Sequence, residues 1–149
     1  MGEKVIATNR KARFEYHILD TWETGIVLVG TEVKSLRDGK ANLKDSYANV
    51  KNGELFLYHT HISPYSHGNL NNHDPLRIRK LLMHKKEIKK LIGKVDEKGL
   101  TLVPLKLYFK NGKAKIQLAL AKGKKVYDKR QSIAKRDSER DLKRQLKFQ

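Results

Sequence analysis

The sequence predicts a mainly β fold, a small closed barrel with inserted helices, followed by a basic tail. Three observations predict it: short apolar runs that alternate, two Asn-Gly pairs at hairpin spacing, and a loss of apolar residues beyond about residue 121. At 149 residues the chain suits one domain plus an appendage.

The elements follow in order. Phe14 to Leu19 alternates around Tyr16 and Ile18 and reads as a strand. Ile26 to Val29, bounded by Gly25 and Gly30, has the form of a short buried strand. Glu32 to Arg37 reads as a short helix that stops before Asp38-Gly39. Tyr47 to Val50 and Glu54 to His61 flank Asn52-Gly53, a pair that supplies the two positive φ angles of a tight hairpin turn. Residues 62–78, rich in Ser, Pro, His, Asn and Gly, read as a long loop of the kind usually kept for function. His84 to Ile92 reads as an amphipathic helix with Ile88, Leu91 and Ile92 on one face, lysines on the rest, and Gly93 as its C-terminal cap. Leu100 to Phe109 and Lys113 to Ala121 flank Asn111-Gly112, a second hairpin of the same kind. Pro104 inside the first of these strands marks an edge or a bulge. About six short strands with one or two inserted helices make an OB-type barrel, because closure removes exposed edges.

The barrel is expected over residues 1–121 and the tail over 122–149. Residues 121–149 hold 11 basic and 4 acidic side chains, and after Tyr127 the apolar ones are Ile133, Ala134, Leu142, Leu146 and Phe148. Such a segment cannot bury enough surface to fold alone. Glu139 and Lys143 lie at a helix-supporting spacing, whereas Asp137 and Asp141 oppose a helix. The tail is therefore expected to be disordered when free and helical in a polyanionic groove.

Charge and composition narrow the function. With 33 Lys and Arg against 16 Asp and Glu, the net charge is +17. Such an excess repels itself in a compact fold and points to a polyanionic partner. Nucleic acid is favoured over an anionic membrane, because the basic stretches lack the apolar face that an interfacial helix inserts. No run approaches the roughly 18 apolar residues of a membrane span. Met1 to Arg13 is polar and basic without an apolar core, so a cytoplasmic protein is expected. Cysteine is absent, which removes disulfides, thiolate metal sites and cysteine nucleophiles.

Catalytic motifs are missing: there is no phosphate-binding Gly-rich loop, no His-Glu-x-x-His and no Gly-x-Ser-x-Gly. His59 and His61, two apart on one predicted strand, with His73 and Asp74 in the following loop, offer a zinc-like donor set. Local packing, with His73-Asp74-Pro75 as a turn, is the favoured reading, since the spacing is not compact. Glu32 stands at a strand-to-helix junction, able to accept from backbone N–H groups or from RNA donors. Basic clusters recur at Asn9 to Arg13, Lys34 with Arg37, Arg77 to Lys80, and Lys122 to Lys125, as phosphate binding requires. Tyr65 and Tyr127 lie outside the apolar strand pattern as stacking platforms, while Trp22 fits the core better.

Several longer motifs are jointly specific: Gly30-Thr31-Glu32-Val33-Lys34-Ser35-Leu36-Arg37, Asn42-Leu43-Lys44-Asp45-Ser46-Tyr47, His61-Ile62-Ser63-Pro64-Tyr65, Asn72-His73-Asp74-Pro75, Arg79-Lys80-Leu81-Leu82, and the run from Leu120 to Arg130. On these motifs the chain resembles the SsrA-binding proteins, also called SmpB, over about residues 5 to 145. The resemblance implies a non-enzymatic protein that binds the tRNA-like domain of transfer-messenger RNA (tmRNA), mainly on its D-loop side; no cofactor is expected, and a monomer is the simpler expectation in a tRNA-sized space. It implies delivery of alanyl-tmRNA, with EF-Tu and GTP, to stalled ribosomes in trans-translation. The tail would then enter the empty mRNA channel of the small subunit, against 16S rRNA near the decoding centre. Carried over residue by residue, the tmRNA-contacting positions match Glu32, Leu82 and His84, the last standing where other members have Asn. Lys11, Arg13 and Lys34 would meet phosphates, and Glu32→Ala would weaken RNA binding while sparing the fold. Lys124, Lys125, Tyr127, Asp128, Lys129 and Arg130 match the motif linked to the decoding centre, Tyr127 standing where some members have His. Two rivals stand beside this reading: a general structured or single-stranded RNA binder, and a metal-dependent hydrolase built on His59, His61, His73 and Asp74.

Overall fold

The computed structural model describes residues 3–67, 72–95 and 99–124. Nine strands and three helices run in the order β1 (Lys4–Thr8), α1 (Arg10–Glu15), β2 (Tyr16–Ile26), α2 (Gly30–Arg37), β3 (Ala41–Asn42), β4 (Tyr47–Lys51), β5 (Glu54–Tyr58), β6 (His61–Ile62), β7 (Arg79–Leu82), α3 (Lys85–Val95), β8 (Leu100–Lys110) and β9 (Lys113–Gly123) among the described residues. The main sheet runs β1-β8-β4-β5-β7-β2-β9, and β8 also pairs with β9. Six antiparallel strands therefore close on themselves as β8-β4-β5-β7-β2-β9, the barrel expected from the pattern. The seam is narrow, a single pair between Ala48 and Leu102, and β1 takes over the same edge of β8 further along, at Lys106 to Phe109.

Local chemistry explains the corners. Asn52 and Gly53 have φ of 55° and 76°, and Asn111 and Gly112 have 52° and 75°, so both tight turns form where Asn-Gly predicts them. Pro104 has no N–H to give a ladder, and the β8–β9 register shifts between Pro104 and Lys106. Asn9 secures that bulge: its backbone N–H donates to the Leu105 carbonyl at 2.9 Å and its Nδ2 to the Pro104 carbonyl at 2.9 Å. Its Oδ1 meanwhile accepts from the Ala12 N–H and caps α1.

Period-2 alternation splits β8 and β9 between two apolar clusters. Leu102, Leu107, Ile116, Leu118 and Leu120 join Leu36, Leu43, Leu55, Leu57, Leu81, Ile88 and Leu91 in the main core. Val103, Leu105, Ala119 and Ala121 face the other way, where α1 lays Ala12 over them.

Several expectations are corrected. Phe14 and Glu15 end α1 rather than begin a strand, and β2 is one strand of 11 residues whose register shifts between Ile18 and Asp20. It stops at Ile26, and Val27 and Val29 are exposed, not buried, because Val29 is already the N-cap of α2. β5 ends at Tyr58 and His59 takes φ of 64°, so His59 and His61 do not share one strand. Helix α3 runs through Gly93 to Val95, and Ile92 stays 39% exposed while Ile88 and Leu91 are buried. Trp22, by contrast, packs against the main core as expected. β9 continues to Gly123, two residues past the expected boundary. The tail lies outside the described residues from 125 onward, and with it Lys125, Tyr127, Asp128, Lys129 and Arg130.

Candidate nucleic-acid interface

Leu82 and His84 come together where β7 gives way to α3. The carbonyl of His84 accepts the Glu87 and Ile88 N–H groups at 3.0 Å each, so the imidazole stands at the helix N-cap. Leu82 pairs across to Gly25 and remains 51% exposed. A shallow hollow of about 370 Å³ forms there, lined by Glu23, Gly25, Leu82, Met83, His84, Glu87 and Lys115. An adjoining hollow shares Gly25, Leu82 and Lys115 and reaches Val33 of α2 and Lys113 of β9. Gly25 keeps the first hollow open: a Cβ there would stand 3.2 Å from the Leu82 Cβ.

Two acids line this hollow, Glu87 from the first turn of α3 and Glu23 from β2. Glu23 is held from another strand, β8. Its Oε2 accepts from Lys110 Nζ at 3.1 Å, and its charge reaches the Tyr108 phenol. Burial first, then the charges of Glu23 and Glu3, push the Tyr108 phenol up to about 12, so it stays a donor at neutral pH. Sequence reading did not single out Glu23, nor Lys113 and Lys115, which line the same hollows. Their signal is period 2: Glu23 and Gly25 fall on one side of β2, and Lys113 and Lys115 on one side of β9, the strand paired with it.

Glu32 lies elsewhere in the chemistry. It is wholly buried at the third position of α2, and its Oε1 accepts the Val29 N–H at 2.9 Å, closing the N-terminus of the helix. The same oxygen accepts from Arg77 Nη2 at 2.6 Å, and Oε2 accepts from Arg79 Nε. Burial pushes the carboxyl up, but the Arg77 hydrogen bond, the Val29 N–H and the Arg79 charge outweigh it and hold the group below the usual carboxylate range. Arg79 is itself fully buried, donating to the carbonyls of Thr60 at 2.7 Å and Pro75 at 3.2 Å. It is thus no part of a surface basic cluster, which leaves Arg77 and Lys80 to represent that stretch. Arg77 is partly exposed and also donates to the Val27 carbonyl.

The remaining positions divide between surfaces. Lys34, exposed on α2, sets its Nζ 5.5 Å from the Tyr65 ring centroid. Lys11 and Arg13 ride on α1, against the outside of β8 and β9. There Lys11 lines a separate hollow with Asp45 and Tyr47 and pairs with Asp45 at 3.4 Å. Lys124 follows β9, its N–H donating to the Glu15 carbonyl at 2.8 Å.

The histidine set does not assemble. His73 is buried, with Nδ1 2.8 Å from Thr31 Oγ1 and Nε2 2.8 Å from the Ile62 carbonyl. Asp74 accepts the Leu76 N–H at 2.9 Å, the turn expected from His73-Asp74-Pro75. Among the described residues, no group of three or more His, Cys, Asp or Glu is placed to hold a metal ion. Among them too, no helix is long and apolar enough to cross a membrane.

A closed six-stranded barrel, a net charge of +17 and a hollow that mixes two apolar side chains, an imidazole, two carboxylates and a lysine define a basic barrel of the oligonucleotide-binding type. Comparison with known proteins makes the assignment particular. A family model described as SmpB protein matches residues 6–148. An SsrA-binding protein of Acetivibrio thermocellus is 66% identical over 145 residues, 97% of this chain and 94% of the relative. One from Pelotomaculum thermopropionicum is 64% identical over 147 residues, 99% of this chain and 96% of the relative. A chain of the solved assembly described as "tmRNA-SmpB: a journey to the center of the bacterial ribosome" is 52% identical with a TM-score of 0.70, covering 85% of this chain and 92% of that one. The chain belongs to the SmpB family.

Proposed function

We propose that this chain binds the tRNA-like domain of tmRNA and delivers it to stalled ribosomes for trans-translation. Near full-length identity to SsrA-binding proteins supports the reading, as does likeness to a tmRNA–SmpB chain. The observation that carries it at the level of residues is the hollow that gathers Glu23, Leu82 and His84 beside Lys113 and Lys115. Leu82 offers an apolar surface to an unpaired base, His84 a donor and an acceptor, and Glu23 an acceptor for base amino or ribose hydroxyl groups. The lysines neutralise phosphates. Glu32 acts at one remove in this reading: it fixes the start of α2 and the Arg77 guanidinium, and Glu23 takes the acceptor role that the resemblance gave to Glu32.

Lys34 meets phosphate on the tmRNA side, while Lys11 and Arg13 serve a second basic surface on α1. The tail, with Lys124, Lys125, Tyr127, Asp128, Lys129 and Arg130, engages the small subunit near the decoding centre, and EF-Tu with GTP accompanies the alanyl-tmRNA. The protein is a cytoplasmic monomer without enzymatic activity of its own.

A gel-shift competition tests this reading. The tRNA-like domain should stay bound under excess bulk tRNA near physiological salt, because both RNAs offer phosphates and the nonspecific attraction cancels. Leu82→Ala should lose that preference. Equal displacement by bulk tRNA would make the chain a general RNA binder.

A further inference from the structure

The loop that follows β6 is built as a mount for one ring. Asn72 clamps the backbone of Tyr65 at both polar groups: its Oδ1 accepts the Tyr65 N–H at 3.1 Å and its Nδ2 donates to the Tyr65 carbonyl at 2.9 Å. Just upstream, Ser35 Oγ of α2 donates to the Ser63 carbonyl at 2.7 Å, and the Ser63 N–H donates to the Lys40 carbonyl at 3.1 Å. The buried His73 ties Thr31 of α2 to the Ile62 carbonyl. A segment without regular structure is thus bolted along one helix. Tyr65 nevertheless belongs to neither apolar cluster, so core packing does not account for it. Its ring is half-buried, the exposed His67 ring meets it edge-on at 5.5 Å and 72°, and Lys34 Nζ stands 5.5 Å from its centroid.

We propose that Tyr65 is a stacking platform for an unpaired base of tmRNA, with Lys34 beside it to take the neighbouring phosphate. This rests on the tmRNA reading above. A tyrosine ring stacks on any base, and a fixed ring loses little conformational entropy when it does so. The ammonium lies near the outer limit of a cation–π contact, about 6 Å, so it exchanges the ring for a phosphate at small cost. Helix α2 runs from this platform toward Leu82: Val33 lines the adjoining hollow, which shares Leu82, and Lys34, the next residue, meets Tyr65. One RNA strand laid along α2 reaches both.

Tyr65→Ala in the full chain should weaken binding of the tRNA-like domain roughly 5- to 150-fold, the range that stacking on one aromatic spans, while Tyr65→Phe stays within about twofold of the parent. The salt slope should be unchanged in Tyr65→Ala, since stacking releases no counterion, and should shrink by about one phosphate in Lys34→Ala. A second variant, Tyr65→Trp, reports the ring directly: its fluorescence should be quenched on RNA addition beyond the signal that Trp22 gives in the parent. Tyr65→Ala binding within twofold of the parent, Tyr65→Phe binding as weakly as Tyr65→Ala, or no added quench in Tyr65→Trp would each overturn the platform. Displacement of the parent by bulk tRNA would instead overturn the tmRNA reading, and the quench still decides whether the ring stacks.

Discussion

Glu32→Ala should unsettle the whole barrel, not only its binding. The carboxylate is fully buried and accepts from Arg79, which is fully buried too, from Arg77, and from the N-cap N–H of α2. Removing it strands the Arg79 charge inside the protein. Breaking a buried pair by deleting one partner costs about 3–5 kcal/mol. A domain of this size shifts its melting temperature by about 2–4 °C per kcal/mol, so Tm should fall by about 6–20 °C. Thermal unfolding followed by circular dichroism measures it. Glu32→Gln should fall between the parent and Glu32→Ala, because the amide oxygen still accepts from Val29 and one arginine. Adding Arg79→Met to Glu32→Ala should recover part of the loss, since the stranded charge is then gone. The pH dependence follows from the depressed carboxyl. Its stabilisation is complete above the unfolded value near 4.5 and is lost as pH falls through the lower folded value, so Glu32→Gln should flatten the stability profile in that acid window. A Glu32→Ala protein melting within about 2 °C of the parent would refute the reasoning, and would return Glu32 to direct RNA contact.

Two further outcomes follow from the same geometry. Gly25→Val should narrow the Leu82 hollow, since even a Cβ at this position would stand 3.2 Å from the Leu82 Cβ, and should weaken tmRNA binding more than it lowers Tm; a melting loss without a binding loss would mean that the hollow is not used. Truncation after Gly123 should keep tmRNA affinity, because it spares the pairs from Tyr16 to Gly123 and His17 to Lys122, and should abolish peptide tagging in a reconstituted translation assay; tagging by the truncated chain would refute the division of labour.

Much of this was legible because it is local. Asn52-Gly53 and Asn111-Gly112 admit few backbone paths, so the turns could be placed from four residues. The bulge at Pro104 follows from a missing N–H. Four short strands, β1, β3, β6 and β7, escaped notice, and for the last two the same physical reason applies in reverse. β7 reads as a basic cluster, Arg79-Lys80, until Glu32 arrives from 47 residues away to neutralise Arg79. β6 has only two residues, and its partner Ala41–Asn42 makes it a strand.

The site divides along the same line. The family resemblance put forward Leu82, His84 and Lys34 as candidates, and composition alone argued for a polyanionic partner. Folding decided which acid faces outward. The linear sequence favoured Glu32, at a strand-to-helix junction, over Glu23. Closure of the barrel carries Glu32 inward against two arginines and leaves Glu23 on the surface beside Lys110 and the hollow. A carboxylate's role depends on which charges and how much water surround it. Those are fixed by contacts between residues distant in the chain, which no window of sequence contains.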